Sequence, residues 1–152
     1  MDSIDQFYRQ ILLVANDKEE ADRINRVFIR AGAMNLEIET SMTNVVARLR
    51  DENIEACIIT SASLANNFND AKIGCQRLLQ AIKQDPAGAR KPIIFIEYAP
   101  QLDIDYYELG FHMIIEDGID EAQAHICLLQ LESILSLLDT YKARERKGSF
   151  RV

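Results

Sequence analysis

The sequence predicts an α/β protein built on a parallel sheet with helices on both faces. Two observations carry this. The apolar runs Ile11–Val14, Ala56–Ile59 and Pro92–Ile96 are uninterrupted, as in strands buried on both faces, whereas a half-exposed strand would alternate. Helical patterns separate these runs, and strands that alternate with helices form parallel sheets covered on each side. The crossovers are expected to be right-handed. Pattern alone leaves the strand order open.

Each element has local reasons. After the first strand, Ile11-Leu12-Leu13-Val14, the stretch from Lys18 to Arg30 places Ala21, Ile24, Val27, Phe28 and Ala31 on one helical stripe. Asp17 stands at its N-cap, Glu20 at the capping-box position and Gly32 at its stop. Leu36–Thr40 alternates and reads as a strand nearer the sheet edge. Thr43 to Glu52 follows as a helix with Val45, Val46 and Leu49 inward. The strand Ala56–Ile59 ends at Thr60-Ser61. The polar stretch from Ala62 to Asp70 reads as a loop, longer than the roughly two to six residues usual between strand and helix. Ala71 to Lys83 is a helix with Ile73, Leu78, Leu79 and Ile82 inward, closed by Asp85-Pro86 and Gly88. Pro92 opens the next strand, where a missing donor is tolerated. A short helix from Leu102 to Leu109 stops at Gly110, His112–Ile115 is the last strand, and a long helix runs from Asp120 to about Arg146.

Length and composition bound what such a chain does. At 152 residues with 48% apolar content, one domain with a full core is expected, burying about 68–70% of its unfolded surface. Residues 1–141 form the domain with its extended last helix, and 142–152 a basic tail. No apolar run approaches the roughly 20 residues that span a bilayer. Met1–Arg9 carries acids rather than a signal pattern. Cys57, Cys75 and Cys127 are odd in number and set in apolar patterns, as free buried thiols in a reducing cytoplasm are. The net charge of −7 is uneven: five cations against Glu145 leave the last eleven residues at +4 and the rest of the chain at −11. An acidic body argues against nucleic acid as the partner, and a short basic terminus is more simply a solvated end.

Four segments in order, ILLV, ACIIT, IKQDPAGARKPIIFI and YELGFHMII, resemble the receiver domain of two-component response regulators over residues 10–135. The resemblance implies a flavodoxin-like doubly wound sheet of five strands in the order 2-1-3-4-5. It also implies a reactive pocket at the carboxyl ends of the strands, and there this chain departs from the family. The two acids that would hold a divalent cation fall on Ala15 and Asn16, with Asp17 one residue later at the helix cap. The phosphoacceptor aspartate falls on Thr60, the hydroxyl residue ending the fourth strand on Glu97, the lysine ending the fifth on Asp117, and the following proline on Gly118. The loop after Thr60 is longer than the family's by about seven residues.

These replacements matter chemically. Phosphoryl transfer to a carboxylate needs a divalent cation, and Mg²⁺ takes hard oxygen ligands with at least one or two carboxylates. Ala15 has no ligand atom and Asn16 only a neutral one. At about 4 Å and an effective dielectric near 20, one added like charge opposes an anion by roughly 4 kcal/mol. Glu97 and Asp117 supply two. The expectation is a degenerate pocket with no bound metal or cofactor, no small-molecule substrate and no catalysis. The chain is read as a phosphorylation-independent, receiver-like module acting through protein–protein contact in bacterial signal transduction. One alternative is a pocket still regulated by a cation on Asp17, Glu97 and Asp117, or by Ser/Thr phosphorylation at Thr60 or Ser61. Another is targeting to nucleic acid or membrane by the tail. No Gly-rich phosphate loop follows any strand, and His112 and His125 lack partners at metal-ligand spacing.

The last helix is the strongest remaining signal. Ala124, Leu128, Leu131, Leu135 and Leu138 follow 4-3-4-3 spacing, flanked by Cys127, Ile134 and Tyr141. A helix of this length runs about 40 Å and is expected to project past the domain, leaving Ile134, Leu135, Leu137, Leu138 and Tyr141 in need of cover. Self-association through paired helices, giving a homodimer, is the reading preferred. Tyr106, Tyr107, Ile134, Leu135, Leu138 and Tyr141 are the interaction candidates, on the surfaces the receiver family uses for partners.

Overall fold

A computed structural model describes residues 6–67, 71–97, 108, 110–116 and 119–146. In chain order the elements are β1 (Gln10–Val14), α1 (Lys18–Arg30), β2 (Glu37–Glu39), α2 (Val45–Arg48), β3 (Ile54–Thr60), α3 (Ser61–Asn67), α4 (Ala71–Gln84), β4 (Ile93–Glu97), β5 (Met113–Glu116) and α5 (Glu121–Arg146). The strands form one parallel sheet in the order β2-β1-β3-β4-β5, the doubly wound arrangement expected. We call the carboxyl ends of the strands the upper end and their amino ends the lower end.

Alternation along β1 divides the core. Ile11, Leu13 and Ala15 face the cluster that holds Ile24 and Phe28 of α1 and Ala124, Leu128 and Leu131 of α5. Leu12 and Val14 face the other cluster, with Val45 of α2, Leu64 of α3 and Leu79 of α4. Every residue of β1 after Gln10 is fully buried, which is why the run is continuous rather than alternating.

The start and stop of α1 follow the sequence signals. Asp17 caps it, its Oδ1 accepting from Glu20 N–H at 2.8 Å. At the other end Gly32 takes φ 114°, with its N–H bonded to Ile29 O and that of Ala33 to Phe28 O. That paired reversal closes a helix on a left-handed residue, which glycine adopts without strain.

Four elements differ from expectation. The helix over Thr43–Glu52 is shorter: a 3₁₀ turn at Met42–Asn44 leads into α2, which stops at Arg48. Asp51 then takes over the backbone, its Oδ1 accepting from Asn53 N–H and its carbonyl from Ile54 N–H, an Asx turn that competes with further helix. The polar stretch after Thr60 is no loop in its first part. Ser61–Asn67 is helical, anchored by buried Leu64 and capped by the preceding threonine. Ile73 points outward, 45% exposed. The fourth difference lies in α5. Leu135 is buried, and Ile134 and Leu138 pack against the core cluster, so the domain itself covers three of the residues expected to need a partner. Of that set only Leu137 and Tyr141 stay exposed. The helix expected over Leu102–Leu109, with Tyr106 and Tyr107, lies outside the described residues apart from Glu108, as does Asp117. Residues 142–146 of the basic tail belong to α5.

Candidate functional site

At the upper end, β1 and β3 finish side by side, Val14 opposite Ile59. The residues that follow meet through one side chain the sequence reading did not place there. Glu20, at the third position of α1, turns its carboxylate back over the strand ends and is only 8% exposed. Its Oε1 accepts from Asn16 N–H at 2.8 Å and from the Thr60 hydroxyl at 2.6 Å. Thr60 is fully buried and also works locally. Its Oγ1 accepts from Ser63 N–H at 3.2 Å, and the Ser63 hydroxyl donates to Thr60 O at 2.7 Å. Thr60 is thus the N-cap of α3, the role for which threonine's short hydroxyl suits a helix start.

The position that would carry a phosphoacceptor therefore has its hydroxyl proton given to Glu20 and a lone pair given to α3. Neither partner is dispensable. A buried carboxylate needs its charge met by donors, and Glu20 draws them from one backbone amide and one hydroxyl. A helix start leaves amides unsatisfied unless a side chain caps it. Ala15 is buried, its N–H bonded to Glu39 O at 3.0 Å. Asp17 is exposed and committed to capping α1.

Glu97, one of the acids of the cation alternative, lies inside the domain. It ends β4 at 3% exposure, on the face of the sheet that Phe95 shares. Its charge lies close enough to Cys75 on α4 to oppose ionisation of that thiol, after burial the second cause that pushes it up to about 12. Among the described residues, Glu97 Oε2 has no hydrogen-bond partner. Asp17 is at the surface and Glu97 inside, and no group of three His, Cys, Asp or Glu among the described residues could hold a metal ion. Cys57, Cys75 and Cys127 are free and buried as expected. Burial also pushes the Cys57 and Cys127 thiols up to about 12.

The lower end is organised around a residue the sequence reading passed over. Arg9, just before β1, donates to Glu132 of α5 at 2.8 Å, to Glu55 of β3 at 2.9 Å and to Asp139 of α5 at 2.9 Å. The bond to Glu132 is the largest reason that the Arg9 guanidinium is held more basic than usual, against an opposing effect of burial. This adds to the packing that keeps α5 on the domain: a cation beneath the first strand grips two acids one heptad apart on the helix. Beside it, a groove of about 860 Å³ runs between α5 and the loops at Arg50–Glu52 and Pro86–Lys91. Two features of the sequence could have drawn attention here: an arginine just before a buried strand, and acids one heptad apart at positions 132 and 139.

Comparison with known proteins follows the fold. No protein-family model matches the chain, and no curated protein matches it in sequence. Among solved structures, a CheY-like response regulator receiver domain from Methylobacillus flagellatus superposes at a TM-score of 0.62 and 17% identity, covering 82% of this chain and 98% of that one. The receiver domain of a sensor histidine kinase from Pseudomonas aeruginosa, with a magnesium ion coordinated in its active-site cleft, gives 0.64 and 15%, covering 81% and 96%. A fusion protein bearing a trimeric coiled-coil segment of yeast Spc42 gives 0.66 and 16%, covering 96% and 86%. No helix among the described residues is long and apolar enough to cross a membrane. The structural neighbours of this chain are response regulator receiver domains, and what it shares with them is the CheY-like flavodoxin fold.

Proposed function

We propose that this chain is a receiver-like module whose upper end takes no phosphoryl group, and that it serves two-component signalling by binding protein. The observation that supports this is the Thr60–Glu20 hydrogen bond, 2.6 Å long and buried. A receiver works because an anion and a cation can enter between the strand ends. Here a carboxylate of the chain itself stands against the hydroxyl that replaces the acceptor. An incoming phosphoryl group would meet Glu20 first, and a second anion at about 4 Å is opposed by roughly 4 kcal/mol at an effective dielectric of 20. Threonine is also a weak nucleophile without a base and a metal, and a kinase reaching Thr60 would have to uncap α3. Against the cation reading, Asp17 caps α1 and Glu97 lies inside.

The test is an amide NMR titration with beryllofluoride and Mg²⁺. Peaks of Asn16, Thr60 and Ser63 should stay in place. Thr60→Asp should not restore binding, because it sets a second carboxylate against Glu20 Oε1. Displacement of those peaks in the unaltered chain would overturn the reading.

A further inference from the structure

We propose that the lower end of the domain is a self-docking surface, where two copies pair about a two-fold axis and the Leu137–Tyr141 ridge of each α5 seats in the groove of the other. This deepens the interaction reading above and rests on it only in taking the domain to act by binding protein.

The groove and the ridge lie on one helix. Leu135 and Leu138 of α5, with Ile54 at the start of β3, give the groove an apolar floor. Leu137 and Tyr141 each precede a groove-lining residue, Leu138 and Lys142, so they stand about 100° round the helix from it. They are 59% and 50% exposed. A hole and the knob beside it on the same element are what an isologous contact needs, since each surface meets its own copy reversed. Exposed apolar bulk also gathers here. Of the six large apolar side chains exposed among the described residues, Tyr8, Leu137 and Tyr141 belong to this end, and Tyr8 lines a smaller hollow with Arg9 and Glu132.

Charge decides between occupants. The groove lining carries the cations Arg90, Lys91 and Lys142, and Arg50, which is paired with Asp85. Lys91 and Lys142 are near enough to oppose each other's charge, a cause of the lowered Lys91 basicity after burial. The same lining carries the acids Glu52, Glu55 and Asp139, the last two sharing Arg9 with Glu132. A polyanion such as nucleic acid or an anionic membrane suits the cations and is repelled by the acids among them. A surface bearing both signs suits a copy of itself turned about a two-fold axis, cations facing acids.

Sedimentation equilibrium of the full chain across a wide concentration range tests this. The mass should rise from one chain to two and no further. Leu137→Asp and Tyr141→Asp should each weaken pairing about tenfold or more and, at a dilution where the chain is single, leave the urea midpoint unchanged, both sites being exposed there. Lys142→Glu and Glu52→Lys should each weaken self-pairing, and a mixture of the two variant chains should pair better than either alone. A chain that stays monomeric, a dimer that withstands both aspartate variants, or a mixture without recovery would each overturn the proposal. Beryllofluoride binding at the strand ends bears on the pocket alone, so a failed pairing and a failed pocket reading are told apart.

Discussion

At the upper end of the sheet a carboxylate is buried and turned inward, Glu20 meeting the Asn16 amide and the Thr60 hydroxyl. At the lower end three carboxylates, Glu55, Glu132 and Asp139, stay near the surface and gather round Arg9. The first arrangement uses neutral donors and ties the ends of β1 and β3 together. The second uses a cation, leaves a groove beside it, and fixes the last helix at the groove's edge. In an open parallel sheet the carboxyl ends are the usual place for a ligand. Here, among the described residues, Glu20 stands between the ends of β1 and β3, and a concave, charged, partly apolar surface lies at the opposite end.

The contrast breaks most readily at its packing. Leu135→Ala should cost about 2–5 kcal/mol in urea unfolding, because it opens a cavity in a closed core, whereas Leu137→Ala on the next position should cost under about 0.5 kcal/mol. Equal effects would mean that the lower part of α5 is not docked as described. Glu20→Ala comes next. It leaves the buried Thr60 hydroxyl and Asn16 N–H without their acceptor, at about 2–3 kcal/mol, and Glu20→Gln, which keeps a carbonyl oxygen there, should recover much of it. Arg9→Ala should cost about 1–3 kcal/mol by leaving three acids facing one another, with faster amide exchange in the last turns of α5. Arg9→Lys should recover little, since an ammonium lacks the fork that reaches three partners.

The sequence made the fold legible because the strands say what they are. Runs such as Ile11–Val14 and Ala56–Ile59 have no polar face, and Asp17 and Gly32 mark helix ends through backbone chemistry that is local. The upper site was half legible. Ala15, Asn16 and Thr60 could be placed at strand ends by their order, but Glu20 looked like an ordinary capping-box acid, and its second bond reaches 40 residues along the chain. Arg9 was not legible as a clamp, because its partners lie 46 to 130 residues away and only the closed sheet brings them beneath it. The lower part of α5 was misjudged for the same reason. A helical stripe shows which residues want cover, not which element supplies it.

Smaller effects sharpen the comparison. His112 Nδ1 accepts from Ile93 N–H at 2.9 Å where β4 begins. Burial and nearby Lys83 hold its pKa below 6.5, so folding favours the neutral ring. The stabilisation is present above about pH 6.5 and is lost as pH falls through the lower folded value, by about a few tenths of a kcal/mol for so exposed a ring. His112→Ala should remove that slope from thermal melts taken between mildly acidic and neutral pH. Least of all, the three thiols, with pKa pushed up to about 12, should ignore a thiol reagent in the folded chain at pH 8 and react together once it unfolds.

The Arg9 clamp has a consequence for the order of assembly. Its ligands on α5 are separated from it by 123 and 130 residues, so during synthesis the guanidinium at the foot of β1 can meet Glu55 of β3 early but lacks its other two acids until α5 has emerged. Synthesis from the amino end cannot finish the lower end early. The groove comes into being in the same event that seats the last helix, so a nascent or truncated chain lacking those turns would carry the sheet without its docking face.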